Sequence, residues 1–332
     1  MVWIEFLAGV AIIFLAGTRL AHYGDVIAEK TGLGRVWIGL LLLAAITSVP
    51  EVVTSVSSAV LVGLPDLAVG TLFGSNLFNL AILALLDITY PVIPILATIS
   101  RRQMLLATGG ILLIGLAGLS IFIGDGLKAV SLGWLGMPSV LIIILYGFLL
   151  RLAFKREKAE PGAPQEAPQY ADLPINTVWF RFALASAAVI AAGVWLSYTG
   201  EEIAKVTGWD ASFVGSLFLA VSTSMPELVV TFAAVRLGAA DMAVADILGS
   251  NMFNMAIIFI VDLAYVKGSI FADATSVHAI TALAGVLMSL VVLVAIRFHR
   301  KKKILGVLSW YSPFLIVFYL AGFYALFRAG VS

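Results

Sequence analysis

Thr47-Ser48-Val49-Pro50-Glu51 returns as Thr223-Ser224-Met225-Pro226-Glu227, 176 residues further along the chain. Each pentapeptide lies in the middle of a long apolar run. A carboxylate in that setting costs at least ~2.5–3.5 kcal/mol on membrane-insertion scales, and its default reading is functional. The match extends outward on both sides. Residues 17–63 align with 193–239 through Gly17/Gly193, Gly24/Gly200, Thr31-Gly32/Thr207-Gly208 and Gly39/Gly215. After a one-residue deletion it resumes: Gly74-Ser75-Asn76-Leu77-Phe78-Asn79 pairs with Gly249-Ser250-Asn251-Met252-Phe253-Asn254, and Asp87 with Asp262. Two polar hexapeptides inside apolar spans do not align by chance, so the chain is an internal duplication.

The composition agrees with a lipid solvent. Of 332 residues 61% are hydrophobic and 12% charged, against about 45–50% and about 25% in soluble domains; mean hydropathy is +1.08. Apolar runs predict ten helices near 2–22, 36–62, 67–87, 103–123, 128–150, 178–199, 211–236, 243–265, 275–297 and 305–327. The expected fold is therefore all-α and polytopic, with ten transmembrane helices in two five-helix repeats. Five is odd, so the second copy enters from the opposite side and the repeats are inverted, an arrangement that places transporter sites at the midplane between halves. The first repeat is assigned to residues 1–150, with its motif region at 44–79, and the second to 177–332, with its motif region at 220–254. Between them, 151–176 carries Arg151, Lys155, Arg156, Lys158 and four prolines, and reads as a short solvated cytoplasmic linker.

Orientation follows from basic residues in alternate loops. With the N-terminus outside, sixteen of the 20 Lys and Arg fall on the cytoplasmic side, and only Lys128, Lys205, Lys267 and Arg328 face outward. Both termini are then extracytoplasmic. No basic segment precedes the first apolar run, so a cleaved signal peptide is not expected. The absence of cysteine excludes disulfides and thiolate chemistry. His22, His278 and His299 form no metalloenzyme motif, stand outside the repeat motifs and read as solvated or interfacial residues. Net charge of +1 gives no basis for nucleic-acid binding. No enzyme activity, cofactor or protein partner is implied; the partners expected are inorganic cations and the bilayer. A channel would need a continuous polar pore, whereas the polar residues form one central cluster.

Helical spacing says which of them share a face. Thr47, Glu51 and Ser55 are i, i+4, i+8; Ser48 stands three before Glu51 and Ala44 seven before it. Ala220, Thr223, Ser224, Glu227 and Thr231 repeat the stripe. Pro50 and Pro226 each remove a helical hydrogen bond and should free the carbonyls of Ile46 and Ser222, which membrane helices tolerate only where the backbone is buried or lines a cavity. Ser75 with Asn79, and Ser250 with Asn254, are i, i+4 pairs, flanked by Asn76 and Asn251. Every one of these groups offers a hard oxygen. Calcium takes 6–8 such ligands, two glutamates neutralise one divalent ion, and transition-metal ligands are missing. The stripes specify an alkali or alkaline-earth cation bound without most of its water.

These motifs resemble the calcium/cation antiporter superfamily, most closely its sodium/calcium exchanger branch of prokaryotic type, whose inverted repeats each carry G-T-S-x-P-E and G-N-x-x-G-S-N-x-x-[ND] stretches. The resemblance covers nearly the whole chain. It implies a secondary antiporter of a prokaryotic plasma membrane that exchanges Na+ for Ca2+, both bound at the membrane centre. Glu51 and Glu227 would be shared calcium ligands with the carbonyls of Thr47 and Thr223. Ser48, Ser224, Ser75 and Ser250, with the carbonyls of Ala44 and Ala220, would serve flanking sodium sites. Asn79 and Asn254 would be the remaining central polar pair, and the first and sixth spans long tilted gates. Three sodium ions per calcium is the implied count. The chain departs from the pattern where Ile46 and Ser222 replace a glycine, and where Thr71 and Asp246 replace an asparagine. Asn254 argues against potassium co-transport. The alternative within the fold is proton-coupled antiport of calcium or another divalent cation, against which Thr-Ser-x-Pro-Glu speaks. Asp246, a few residues inside the cytoplasmic end of its span, reads as a carboxylate at the inner mouth or an interfacial residue near Arg236.

Overall fold

The computed structural model describes residues 2–90, 93–124, 131–159, 170, 173–207, 217, 219–300, 302–304 and 308–330. Helices dominate them: α1 (Val2–Thr31), α2 (Arg35–Val62), α3 (Pro65–Thr89), α4 (Gln103–Ile123), α5 (Met137–Ala159), α6 (Ile175–Thr207), α7 (Ala220–Thr223 and Met225–Arg236), α8 (Ala240–Ala264), α9 (His278–Phe298) and α10 (Ser312–Gly330). Eight of the described helices are long and apolar enough to cross a membrane. α10 is apolar but shorter, and the expected start of α7 at 211–216 lies outside the described residues.

The two halves pack on each other as equivalents. α1 lies against α6, α3 against α8 and α4 against α9; the unlike contacts also come in matched pairs, α1 with α7 and α6 with α2. This is the two-fold expected of inverted five-helix repeats. α3 and α8 form the axis: 89% and 83% of their apolar windows are buried, against 28% for α1. Leu72, Phe73 and Leu77 meet Ile247, Met252 and Met255 in one continuous core. Outward, α1 shows Trp3, Ile4, Leu7 and Leu15 to the surroundings, as a lipid-facing helix must.

Several ends differ from the sequence expectation. α1 continues nine residues past 22, because Asp25 and its neighbours stay helical and pack inside, and α6 continues eight past 199, where Ile203 is buried. At 1.5 Å per residue the 30 residues of α1 span about 45 Å, longer than a hydrocarbon core of about 30 Å. α5 starts at Met137 after a small hairpin, Ser131–Leu132 with Leu135–Gly136, and runs through the charged start of the connecting segment to Ala159. That segment is not wholly solvated either. Tyr170 is buried against α1: its N–H donates to Glu29 Oε1 (2.9 Å) and its hydroxyl to Asp25 Oδ2 (3.2 Å), while Arg35 grips the same Asp25 at 2.6 and 3.1 Å. Burial, with the Asp25 charge beside it, pushes the Tyr170 hydroxyl up to about 12. It therefore remains a donor at any physiological pH.

The aligned pair Asp87 and Asp262 closes the ends of α3 and α8. Asp87 accepts from the Ile95 N–H (3.1 Å), the Ser309 N–H (2.9 Å) and the Tyr311 hydroxyl (2.8 Å). Asp262 accepts from the Ile270 N–H (2.7 Å), the Gly136 N–H (2.9 Å) and Ser139 Oγ. In both halves the carboxylate caps a backbone N–H eight residues ahead. Contacts between loops respect the alternation. Arg102 meets Glu157 (3.1 Å), and at the other end Asp66 meets Thr275 (2.7 Å) and His278 (3.2 Å), partners that ten alternating spans place on one side. His278 is thereby buried rather than solvated, because the start of α9 tucks behind Asp66.

Candidate cation site

The proline-containing helices break at the same backbone geometry. Ser48 adopts φ −88°, ψ 7° and Ser224 φ −89°, ψ 10°, and Pro50 and Pro226 open the helical segments that follow, where their missing N–H costs least. α2 also widens to π-helical geometry on both sides of the break, at Ile38–Leu43 and Ser57–Val62. Such turns are frequent at functional sites, and nothing in the hydropathy pattern marks them. The Ile46 and Ser222 carbonyls, expected to be free, accept a second contact from the Ser48 and Ser224 N–H groups. The Ala44 and Ala220 carbonyls accept the Ser48 and Ser224 N–H at 3.2 and 3.1 Å.

Each break aims its serine at the other half's carboxylate. Ser224 Oγ donates to Glu51 Oε1 (2.9 Å), and Ser48 Oγ donates to Glu227 Oε1 (3.0 Å). Ser75 from α3 adds a bond to Glu51 Oε1 (3.3 Å) and lies 3.3 Å from Thr223 Oγ1. Thr47 and Thr223 turn their hydroxyls back on the Leu43 (3.0 Å) and Ala220 (3.1 Å) carbonyls. Asn254 Nδ2 donates to Asn76 Oδ1 (3.0 Å) and Asn251 Nδ2 to the Asn76 carbonyl (3.3 Å), tying α3 to α8. All of these side chains are buried, Glu51 and Glu227 at 0% exposure.

What is left over matters more. Glu51 Oε2, Glu227 Oε2, Ser55 Oγ, Ser250 Oγ, Asn251 Oδ1, Asn254 Oδ1 and both polar atoms of Asn79 are buried with no hydrogen-bond partner among the described residues. Orphan polar atoms are rare in native proteins and call for an explanation. A cluster of them, mostly oxygen and including two carboxylates, is the donor set of a hard cation. Among the described residues no three acidic or imidazole side chains converge on one point; two carboxylates with neutral oxygens are what the centre offers.

A family model for the sodium/calcium exchanger protein matches residues 1–155 and 177–329. The chain belongs to the sodium/calcium exchanger family. Its two matched blocks leave out only the connecting segment and the last residues. Among relatives of this exchanger, the putative antiporter CaxA of Alkalimonas amylolytica is 27% identical over 305 residues, 90% of this chain and 91% of that protein. The inner membrane protein YrbG of Escherichia coli is 28% identical over 76% of each chain. A crystal structure of the sodium-calcium exchanger NCX_Mj superposes with a TM-score of 0.73 at 20% identity, covering 97% of this chain and 98% of that one. Fold and family thus agree: the protein is a membrane cation antiporter, with transporters rather than enzymes as its kin.

The interfacial reading of Asp246 requires a correction: the residue is not solvated but fully buried, seven residues into an α8 that starts at Ala240 rather than 243. Thr231 Oγ1 donates to its Oδ2 (3.2 Å), Oδ1 has no partner, and no described ion pair joins it to Arg236. The sequence reading also left Asp87 and Asp262 without a role although their alignment was the signal, and gave Asp25, Arg35 and Tyr170 none.

Proposed function

We propose that this exchanger moves sodium against calcium by alternating access, with both ions bound in turn at the centre between α2, α3, α7 and α8. One observation carries the reading: Glu51 and Glu227 are each held by a serine of the opposite half through one oxygen, leaving the other oxygen buried and unpaired. Two such oxygens supply the charge that a dehydrated calcium ion requires. In this reading Thr47 and Thr223 contribute backbone carbonyls to calcium. Ser48, Ser224, Ser75 and Ser250, with the carbonyls of Ala44 and Ala220, line the flanking sodium positions. Asn79 and Asn254 complete the centre, and Asn76 and Asn251 hold α3 to α8. The similar exchanger NCX_Mj was studied after soaking with Na+ and Ca2+ or with Na+ and Sr2+, which supports the same ions here.

The repeats would be residues 1–150 and 177–332, joined by a cytoplasmic segment at 151–176, with both termini outside a prokaryotic plasma membrane. The test is calcium uptake into proteoliposomes under an imposed sodium gradient, repeated with a proton gradient alone. Uptake driven by sodium and abolished by its collapse is the expected result. Uptake driven equally by protons without sodium overturns sodium coupling in favour of a proton-coupled exchanger.

A further inference from the structure

The two halves part from their symmetry one helical turn beyond Glu227. In the first half the aligned positions are Thr71 and Ser55, and Thr71 satisfies itself by donating to the Leu67 carbonyl at 2.8 Å. In the second half the same place holds Asp246, 0% exposed on α8, facing Thr231 on α7 at 3.2 Å. Thr231 follows Glu227 by four residues and Asp246 precedes Ser250 by four, so the pair sits directly beside Glu227 on packed helices. Asp246 Oδ1, Glu227 Oε2 and Ser250 Oγ are all buried without partners. Among the described residues no Lys, Arg or His forms an ion pair with Asp246. A single threonine hydroxyl does not compensate a buried carboxylate; such groups are paired or coordinate a metal.

We propose that Asp246, Thr231 and the free oxygen of Glu227 form a second cation site, which holds one sodium ion while calcium occupies the centre. Calcium between Glu51 and Glu227 uses both of their charges, and the third carboxylate then calls for exactly one further unit of positive charge. One carboxylate with one hydroxyl and a shared carboxylate oxygen is a weak complement for a second divalent ion but a sufficient one for a monovalent alkali cation. The first half lacks the site because Thr71 carries no charge and its hydroxyl is already committed. The inference rests on the central calcium reading above and adds to it an ion that calcium does not displace.

Equilibrium binding of radioactive sodium and of radioactive calcium to the purified full-length protein tests it. In saturating calcium the wild type retains a single sodium ion. Asp246→Asn weakens that sodium by at least a hundredfold, as expected when one member of a buried charge pair is removed, and Thr231→Val weakens it by a smaller factor. Calcium still binds Asp246→Asn. Complete displacement of sodium by calcium in the wild type, with calcium demonstrably bound, overturns the proposal whether or not either variant folds. Sodium retention left unchanged in a folded Asp246→Asn also overturns it. Failure of the wild type to bind calcium at all refutes the central reading instead, so the two are separable.

Discussion

Glu51 and Glu227 each keep one oxygen anchored and one free. The anchored oxygen sets the direction of the carboxylate; the free one is available to an ion. Glu51→Gln or Glu227→Gln keeps the shape and removes one charge, which the neutral oxygens around it do not replace. Either variant should fold, shown by an unchanged elution profile, yet lose calcium/calcium exchange in proteoliposomes. Near-normal exchange in both variants would refute the assignment. In sodium-free medium Ser48→Ala and Ser224→Ala act on calcium only through the orientation of the carboxylate, and each should weaken equilibrium calcium binding by roughly tenfold to a hundredfold, the order of a lost hydrogen bond to a charged group at about 1.5–3 kcal/mol. The stripe that carries these residues was legible from spacing. That the serines reach across to the other half was not, because helical periodicity places residues on a face and says nothing of which face lies opposite.

At the level of elements, α2 and α8 touch backbone to backbone. A Cβ added to Gly249 would come within 2.9 Å of the Leu40 carbonyl oxygen and 3.0 Å of its Cα, and one added to Gly39 would fall on the Met242 carbonyl oxygen. Neither neighbour is a flexible side-chain tip, so the helices themselves must separate. Gly249→Ala should cost about 1–3 kcal/mol, the usual range for overpacking, read as a lower unfolding temperature in detergent. Gly193 of α6 meets both proline rings: its Cβ would lie 2.5 Å from Pro50 Cγ and 3.4 Å from Pro226 Cγ. A moving α6 has to slide over those two rings. Gly193→Val should therefore slow sodium/calcium exchange while equilibrium calcium binding holds, and equal losses of both would argue against sliding. Helix existence and number were readable from apolar runs. The long end of α1 was not, because Asp25 and Glu29 look like loop residues until Tyr170 is seen to bond both and Arg35 to pair with Asp25.

For the whole molecule the relevant quantity is charge carried per crossing. The central glutamates contribute −2; one calcium cancels it, and three sodium ions leave +1. A sodium ion kept at Asp246 in both loaded forms drops out of the difference. Exchange should then respond to a potassium–valinomycin potential, with about 2.3 kcal/mol per 100 mV acting on each net charge moved. Exchange indifferent to that potential would reject the three-to-one count.

The crossed bonds from Ser224 to Glu51 and from Ser48 to Glu227 mean that neither five-helix half owns a finished binding centre; each brings the other's missing piece. Two separately encoded fragments, cut in the segment between Ala159 and Tyr170, should be inert alone and recover calcium exchange when produced together. By the same logic a single half could serve by itself only if copies of it inserted in both directions and met as an antiparallel dimer, and the near-identical breaks at Ser48 and Ser224 are the geometry that such a self-pairing ancestor would have bequeathed to both halves of the fused chain.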